Sequence, residues 1–347
     1  METKIRKADR KESFQEAAKI LQQGGLVAFP TETVYGLGGN ALDGEVAKKI
    51  YEAKGRPADN PLIVHIAKKR ELLALAEYVP ERAWILAEHF WPGPLTMILP
   101  KSKKVPYGTT GGLATVAVRM PNHPVALRLI QESGVYIAAP SANISGRPSA
   151  TMAEHVIEDF QGRIDMVLDG GMVNMGIEST VLDLTEEVPV ILRPGCVTKE
   201  MLEEVLGEIV TDQAILPENK DKPLQPKAPG MKYKHYAPKA ELTIVTGEAK
   251  KVQQTINQRI TDNLDKGLKT GVITTVENQE MYVGGVVRCI GSREEEGTIA
   301  RGLYKVLREF DHLQVDCIYA ESFIEDSMGE AIMNRLQKAA GYAILQV

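Results

Sequence analysis

Three scarcities in the sequence each close off a class of function. Its 347 residues include three cysteines, Cys196, Cys289 and Cys317, scattered without a CxxC pair. Such spacing supplies neither a disulfide framework nor a zinc site, so the thiols read as reduced side chains of a cytosolic protein. No apolar run approaches the roughly 20 residues that cross a bilayer, so no membrane association is expected. The opening Met-Glu-Thr-Lys-Ile-Arg-Lys is charged, helix-compatible and without the apolar stretch of a signal peptide, and the expected location is cytoplasmic. Positive charge is short as well: 41 Lys and Arg against 46 Asp and Glu leave a net charge of -5. A chain of that sign has no global attraction to nucleic acid, so an RNA-binding surface would have to be local.

What is present is an ordinary globular composition, 44% hydrophobic and 25% charged, with length for two domains. Short apolar runs at 26–29, 62–67, 95–99, 115–118, 135–139, 166–168, 179–184 and 190–192 read as strands. Helical patterns fill 11–23, 43–53, 69–78, 81–90 and 124–133, and Thr151 followed by Glu154 predicts a capping box for a helix near 152–159. Several strands follow one another with no helix between them. The expectation over residues 1–211 is therefore an α/β domain on a twisted, open, mixed sheet. Pro217, Pro223, Pro226 and Pro229 then crowd a polar stretch, so 212–238 reads as an extended linker. From 239 to 347 the alternation restarts as a smaller Rossmann-like α/β unit. It has no GxGxxG after its first strand, so no motif there supports nucleotide binding.

Three polar clusters interrupt the first domain, each at the end of an apolar run. Leu26-Val-Ala-Phe29 passes directly into Pro30-Thr-Glu-Thr-Val-Tyr-Gly-Leu-Gly38, whose threonines, glutamate and tyrosine suit a site wall better than a solvent loop. Lys54-Gly-Arg56 precedes Asp59-Asn60 and the run Pro61-Leu-Ile-Val-His-Ile-Ala67; an extended backbone would aim both cations at one side, a grip for a polyphosphate. A solvated charge pair at a helix C terminus accounts for the same pattern. Ser141-Ala-Asn143 closes the run Val135–Pro140, where a capped turn is the competing reading.

Pro-Thr-Glu-Thr-Val-Tyr-Gly-Leu at 30–37, Lys-Gly-Arg at 54–56, Pro-Leu-Ile-Val-His at 61–65 and Ser-Ala-Asn at 141–143 together resemble the threonylcarbamoyl-AMP synthases. The similarity spans nearly the whole chain and is to the longer Sua5 branch, not the shorter YrdC-type branch. The resemblance implies a YrdC-like first domain that makes L-threonylcarbamoyladenylate and pyrophosphate from L-threonine, bicarbonate and ATP, with Mg²⁺ on the phosphates and protein ligands for it unknown. Downstream proteins would move the threonylcarbamoyl group onto the adenosine at tRNA position 37, so this chain need not hold tRNA itself. By motif position the resemblance implies catalytic roles for Lys54, Arg56, Ser141 and Asn143. It implies a threonine pocket of Thr33, His65, Arg119, Ala139 and Ser179. On the ATP side it adds Asn60, Thr115, Ser149, Arg193 and Tyr233. Ala228-Pro-Gly-Met-Lys-Tyr-Lys-His-Tyr-Ala-Pro238 resembles the family's linker, which implies a lid carrying Tyr233, His235 and Tyr236.

Two bland readings and one rival function stand beside these expectations. His65 fits a core histidine, and Arg193 a surface charge. The rival function is an RNA-binding module, whose basic concave face would carry Lys54, Arg56, Arg119 and Arg193; its binding would weaken steeply with salt.

Overall fold

The computed structural model describes residues 2–213, 236–323 and 328–347. The chain divides into two compact units: the first holds residues 1–145, 149–174 and 178–232, and the second holds 146–148, 175–177 and 233–347. Most of the proline-rich stretch, with Tyr233 and His235, lies outside the described residues.

The first unit runs β1 (Lys4–Lys7), α1 (Lys11–Gln22), β2 (Val27–Phe29), β3 (Gly36–Asn40), α2 (Gly44–Lys54), β4 (Ile63–His65), α3 (Leu72–Leu75), α4 (Glu81–Phe90), β5 (Leu95–Pro100) and β6 (Thr115–Arg119). It continues α5 (Pro124–Ser133), β7 (Ile137–Ala138), α6 (Ala153–Phe160), β8 (Met166–Asp169), β9 (Thr180–Asp183), β10 (Val190–Arg193), α7 (Lys199–Leu206) and β11 (Val210–Thr211). These strands form one 11-stranded mixed sheet, ordered β1-β8-β2-β3-β7-β4-β6-β5-β9-β10-β11.

The central strands are apolar in unbroken runs because helices or further strands bury both their faces. Ala28, Val64, Met97, Val118 and Leu182 point into a large core that also takes Val46 and Ile50 of α2, Leu86 of α4 and Val156 of α6. Val27 and Phe29 face the other way, onto Phe14 and Leu21 of α1 and Leu129 of α5. Farther along that second face, Ile63, Ala117, Ile98, Val181 and Leu192 make a small buried cluster built from strands alone. The polar residues that continue those same strands are the ones the sequence singles out.

Three local expectations need correction. The charged N terminus is a strand: β1 pairs parallel with β8, and its four exposed side chains suit a sheet edge. The segment 69–78 is helical only in pieces, a 3-10 turn at Lys69–Glu71 followed by α3. α6 has no capping box; its N-cap is Met152 without a side-chain bond, and His155 Nδ1 accepts from the Thr151 N–H at 3.3 Å.

The second unit carries β12 (Glu241–Thr246), α8 (Ala249–Leu264), β13 (Thr270–Thr274), β14 (Val286–Cys289), α9 (Glu296–Leu313), β15 (Cys317–Glu321), α10 (Met328–Ala339) and β16 (Ile344–Gln346). Its five strands are ordered β14-β13-β15-β12-β16 and pair parallel throughout. Buried Glu321 ends β15 and accepts from Thr274, Asn278, Tyr282 and Arg293, so its charge is compensated inside the unit. Tyr236 is buried here, its ring 5.0 Å from that of Tyr304.

Candidate active site

The wall begins where β2 ends. Pro30 to Tyr35 leave the strand, and β3 returns antiparallel to β2 with Gly38 opposite Val27. A Cβ on Gly38 would sit 2.6 Å from Ile137 and 2.7 Å from Phe29, so only glycine lets β3 lie this close to its neighbours. The Ser141 segment is stitched to the same wall: Leu37 N donates to Pro140 O (2.9 Å), and Ala142 N donates to Tyr35 O (2.7 Å).

Lys54 joins the third cluster to these two. It ends α2, and Gly55 follows in the left-handed conformation at φ 60°. The backbone is therefore a helix cap, not the extended segment expected, and the two cations diverge. Lys54 is buried, and its Nζ donates to the carbonyls of Ser141 (2.5 Å) and Asn143. Ser145 N donates back to Lys54 O at 2.9 Å. Ser141 Oγ donates to Asn143 Oδ1 at 2.6 Å. Arg56 turns the other way, donating to the carbonyls of Asn60 (3.3 Å) and Pro61 (3.1 Å). Beside it, the buried Asn60 Oδ1 has no hydrogen-bond partner among the described residues.

Arg119 organises the residues expected on the amino-acid side. β4 and β6 pair parallel with His65 in register with Arg119, which sets the two side chains next to each other on one face. Arg119 Nη1 donates to Thr33 Oγ1 (3.0 Å), Nε donates to Gly93 O (3.3 Å), and Nη2 lies 2.7 Å from Glu32 Oε1. Thr31 Oγ1 donates to Val34 O (2.7 Å), so in the 2.8 Å Thr31–Thr33 contact the Thr33 hydroxyl is the donor. Thr33 thus accepts from Arg119, donates to Thr31 and keeps acceptor capacity only.

Burial works most strongly against charge on Glu32, but the Arg119 cation and the backbone N–H groups of Asn122 and Glu32 together outweigh it and hold the carboxyl below the usual range. His65 is pushed down to about 3, first by burial and then by the Arg119 charge, so it is neutral. Its Nδ1 faces Ile63 O at 3.1 Å and must carry the proton to donate.

The other expected residues fall into two groups around these. Thr115 opens β6 on the same face as Arg119, about 13 Å along the strand at the usual rise per residue. Ala139 is buried, its N–H donating to Ile63 O (2.9 Å). Arg193 is buried and not a surface charge: Nε donates to Ser179 O (3.0 Å), and Nη2 donates to Ser179 Oγ (3.2 Å). Ser149 Oγ donates to Glu178 Oε1 at 2.6 Å. The four-cation RNA face does not form, because Lys54, Arg119 and Arg193 are 2%, 3% and 4% exposed and are bonded internally.

Residues 19–195 match the family described as telomere recombination, which groups Sua5, YciO and YrdC proteins, and residues 197–341 match the threonylcarbamoyl-AMP synthase C-terminal domain. The chain belongs to the Sua5 family. It is 54% identical over 331 residues to the threonylcarbamoyl-AMP synthase of Pyrococcus abyssi, covering 95% of each chain. With that of Bacillus subtilis it shares 50% over 332 residues, covering 95% of this chain and 94% of the relative. The crystal structure of P. abyssi Sua5 complexed with L-threonine superposes with a TM-score of 0.92 at 50% identity over 100% of both chains.

Within this Sua5-family site, sequence reasoning left out Thr96, Glu178 and the partner of Glu32. Thr96 Oγ1 lies 2.8 Å from Ser179 Oγ, and its signal was the turn-rich Pro92-Gly-Pro-Leu-Thr96 entry to β5. Glu178 stands beside Ser179, itself an expected site residue, but its pairing with Ser149 spans 29 residues and has no local signature. Glu32, part of the polar wall with no partner assigned from the sequence, pairs with Arg119.

Proposed function

We propose that this chain is an L-threonylcarbamoyladenylate synthase, joining L-threonine, bicarbonate and ATP and releasing pyrophosphate. The observation that carries this reading is the direct bonding of three motifs distant in sequence: the wall at 35–37, the Ser141–Asn143 turn and Lys54. Binding of L-threonine by the P. abyssi relative supports the amino-acid half.

The chemistry needs no protein nucleophile. The threonine nitrogen forms a bond to the carbon of carbon dioxide and gives up a proton; where bicarbonate supplies the carbon, its C–OH bond breaks and water leaves with that proton. A carbamate oxygen then attacks the α-phosphorus, and the bond to the β-phosphate breaks with pyrophosphate leaving. Catalysis of such a transfer rests on positioning and charge neutralisation. Arg119 holds the threonine carboxylate, with Thr33 and neutral His65 completing that pocket and Ala139 and Ser179 lining it. Arg56, Asn60, Thr115, Ser149 and Arg193 serve the nucleotide. Lys54 shapes the Ser141–Asn143 turn against the triphosphate.

Mg²⁺ arrives with ATP. The oxygens of Ser141 and Asn143 are hard donors of the kind it accepts, and among the described residues no group of three His, Cys, Asp or Glu could hold a metal by itself. When bound, the ion neutralises phosphate charge. The product's threonylcarbamoyl group passes through other proteins to tRNA position 37, and the work is cytoplasmic.

The test is pyrophosphate release by the purified protein with ATP, threonine, bicarbonate and Mg²⁺, each omitted in turn. Release is expected only with the complete set. Release that threonine does not stimulate overturns the assignment.

A further inference from the structure

Arg119 and Glu32 are both almost wholly buried, and they face each other at 2.7 Å. The contact lies off the N–H axes, short of a straight hydrogen bond from Arg119 Nη2, while the backbone N–H groups of Asn122 and of Glu32 itself also favour the charged carboxylate. A guanidinium and a carboxylate brought together for stability alone favour the two-pronged, parallel fork. Here the fork is withheld, while Nη1 and Nε are fixed on Thr33 and Gly93. The cation is held in place and its charge is balanced, yet Nη2 keeps hydrogen-bonding capacity.

The electrical consequence depends on what binds. A carboxylate on Arg119 adds a second negative charge beside Glu32, in surroundings where water does little screening. A ligand that also carries an ammonium one carbon away brings no net charge, and its cation offsets the repulsion that the simple acid meets. Thr33, left with acceptor capacity only, favours the same donor-rich ligand.

We propose that Glu32 is a positioning and specificity residue of the carboxylate subsite, fixing Arg119 and selecting α-amino acids over carboxylic acids that lack the amine. This rests on the reading of Arg119 as the group that binds the threonine carboxylate. Its probes are L-threonine and 3-hydroxybutanoate, which is threonine without its amine, titrated calorimetrically against the full chain, Glu32→Gln and Glu32→Asp. The unsubstituted protein should prefer threonine. Glu32→Gln should weaken threonine about tenfold or more while leaving 3-hydroxybutanoate unchanged or tighter, since losing a charged partner acts on one ligand only.

Glu32→Asp keeps the charge and should keep the preference for threonine. Equal weakening of both ligands, or no change in either, overturns the inference, because a merely structural role cannot tell them apart. If Glu32→Gln does not fold, Glu32→Asp decides: retained preference supports the inference, and lost preference ends it. Absence of threonine binding by the unsubstituted protein would instead overturn the proposed function, and the inference with it.

Discussion

His65 shows how one buried group ties the site to stability. Burial and the neighbouring Arg119 charge bring its folded pKa down to about 3, whereas in an unfolded chain it takes a proton below about 6.5. Between those values the unfolded state holds the extra proton, so stability falls as pH is lowered, by up to about 1.4 kcal/mol per pH unit. Above about 6.5 the contribution is flat. His123, also pushed down by burial, adds in the same direction. Glu32 enters only at lower pH: its folded pKa is depressed, so its stabilisation is complete above the unfolded carboxylate value of about 4.3 and is lost as pH falls further. Urea unfolding followed from pH 7.5 to 5 should therefore show a declining midpoint, and His65→Asn should shrink the decline by as much as one proton's share. An unchanged slope in that variant would mean that His65 accepts a proton in the folded protein.

Among the elements, the tie between α2 and the Ser141 turn carries the next expectation. Lys54→Met leaves two carbonyls without their charged donor, and a cost of about 2–3 kcal/mol follows from the usual penalty for such a loss. Arg56→Ala removes a partly buried guanidinium whose Nη2 makes two longer bonds to carbonyls and should cost less, about 1 kcal/mol, while still weakening ATP binding. Thermal melts and nucleotide titrations of both variants separate the two effects; equal destabilisation would show that Lys54 is not the tie. The elements themselves were legible where local chemistry marks them. α5 runs from Pro124 at its first turn to Gly134 in the left-handed conformation, and both signals stand in the sequence. β1 was not legible, because Lys4-Ile-Arg-Lys7 has no apolar alternation and is a strand only by pairing with Met166–Asp169. The site divides in the same way. The polar motifs announced its residues, but Lys54 meets Ser141 across 87 positions and Arg119 meets Thr33 across 86, and only the sheet order brings them together.

At the scale of the whole molecule, the two tryptophans separate the units experimentally. Trp84 and Trp91 both belong to the first unit, in α4 and directly after it, and the sequence has no others. Trp91 is buried, with Nε1 donating to Leu95 O at 2.7 Å at the start of β5, so its emission reports on the packing of the strands that carry the proposed site. A ligand that binds only the folded state stabilises it by about 2.7 kcal/mol at a hundredfold excess over its dissociation constant. For a unit of this size, that amounts to roughly 5–10 °C in the melting midpoint. The fluorescence midpoint should therefore rise with L-threonine and again with ATP. It should not rise with 3-hydroxybutanoate at the same concentration. A tryptophan midpoint that stays fixed while calorimetry registers threonine or ATP binding would locate that ligand away from the first unit and dismantle the site assembled from Lys54, Arg119 and the Ser141 turn.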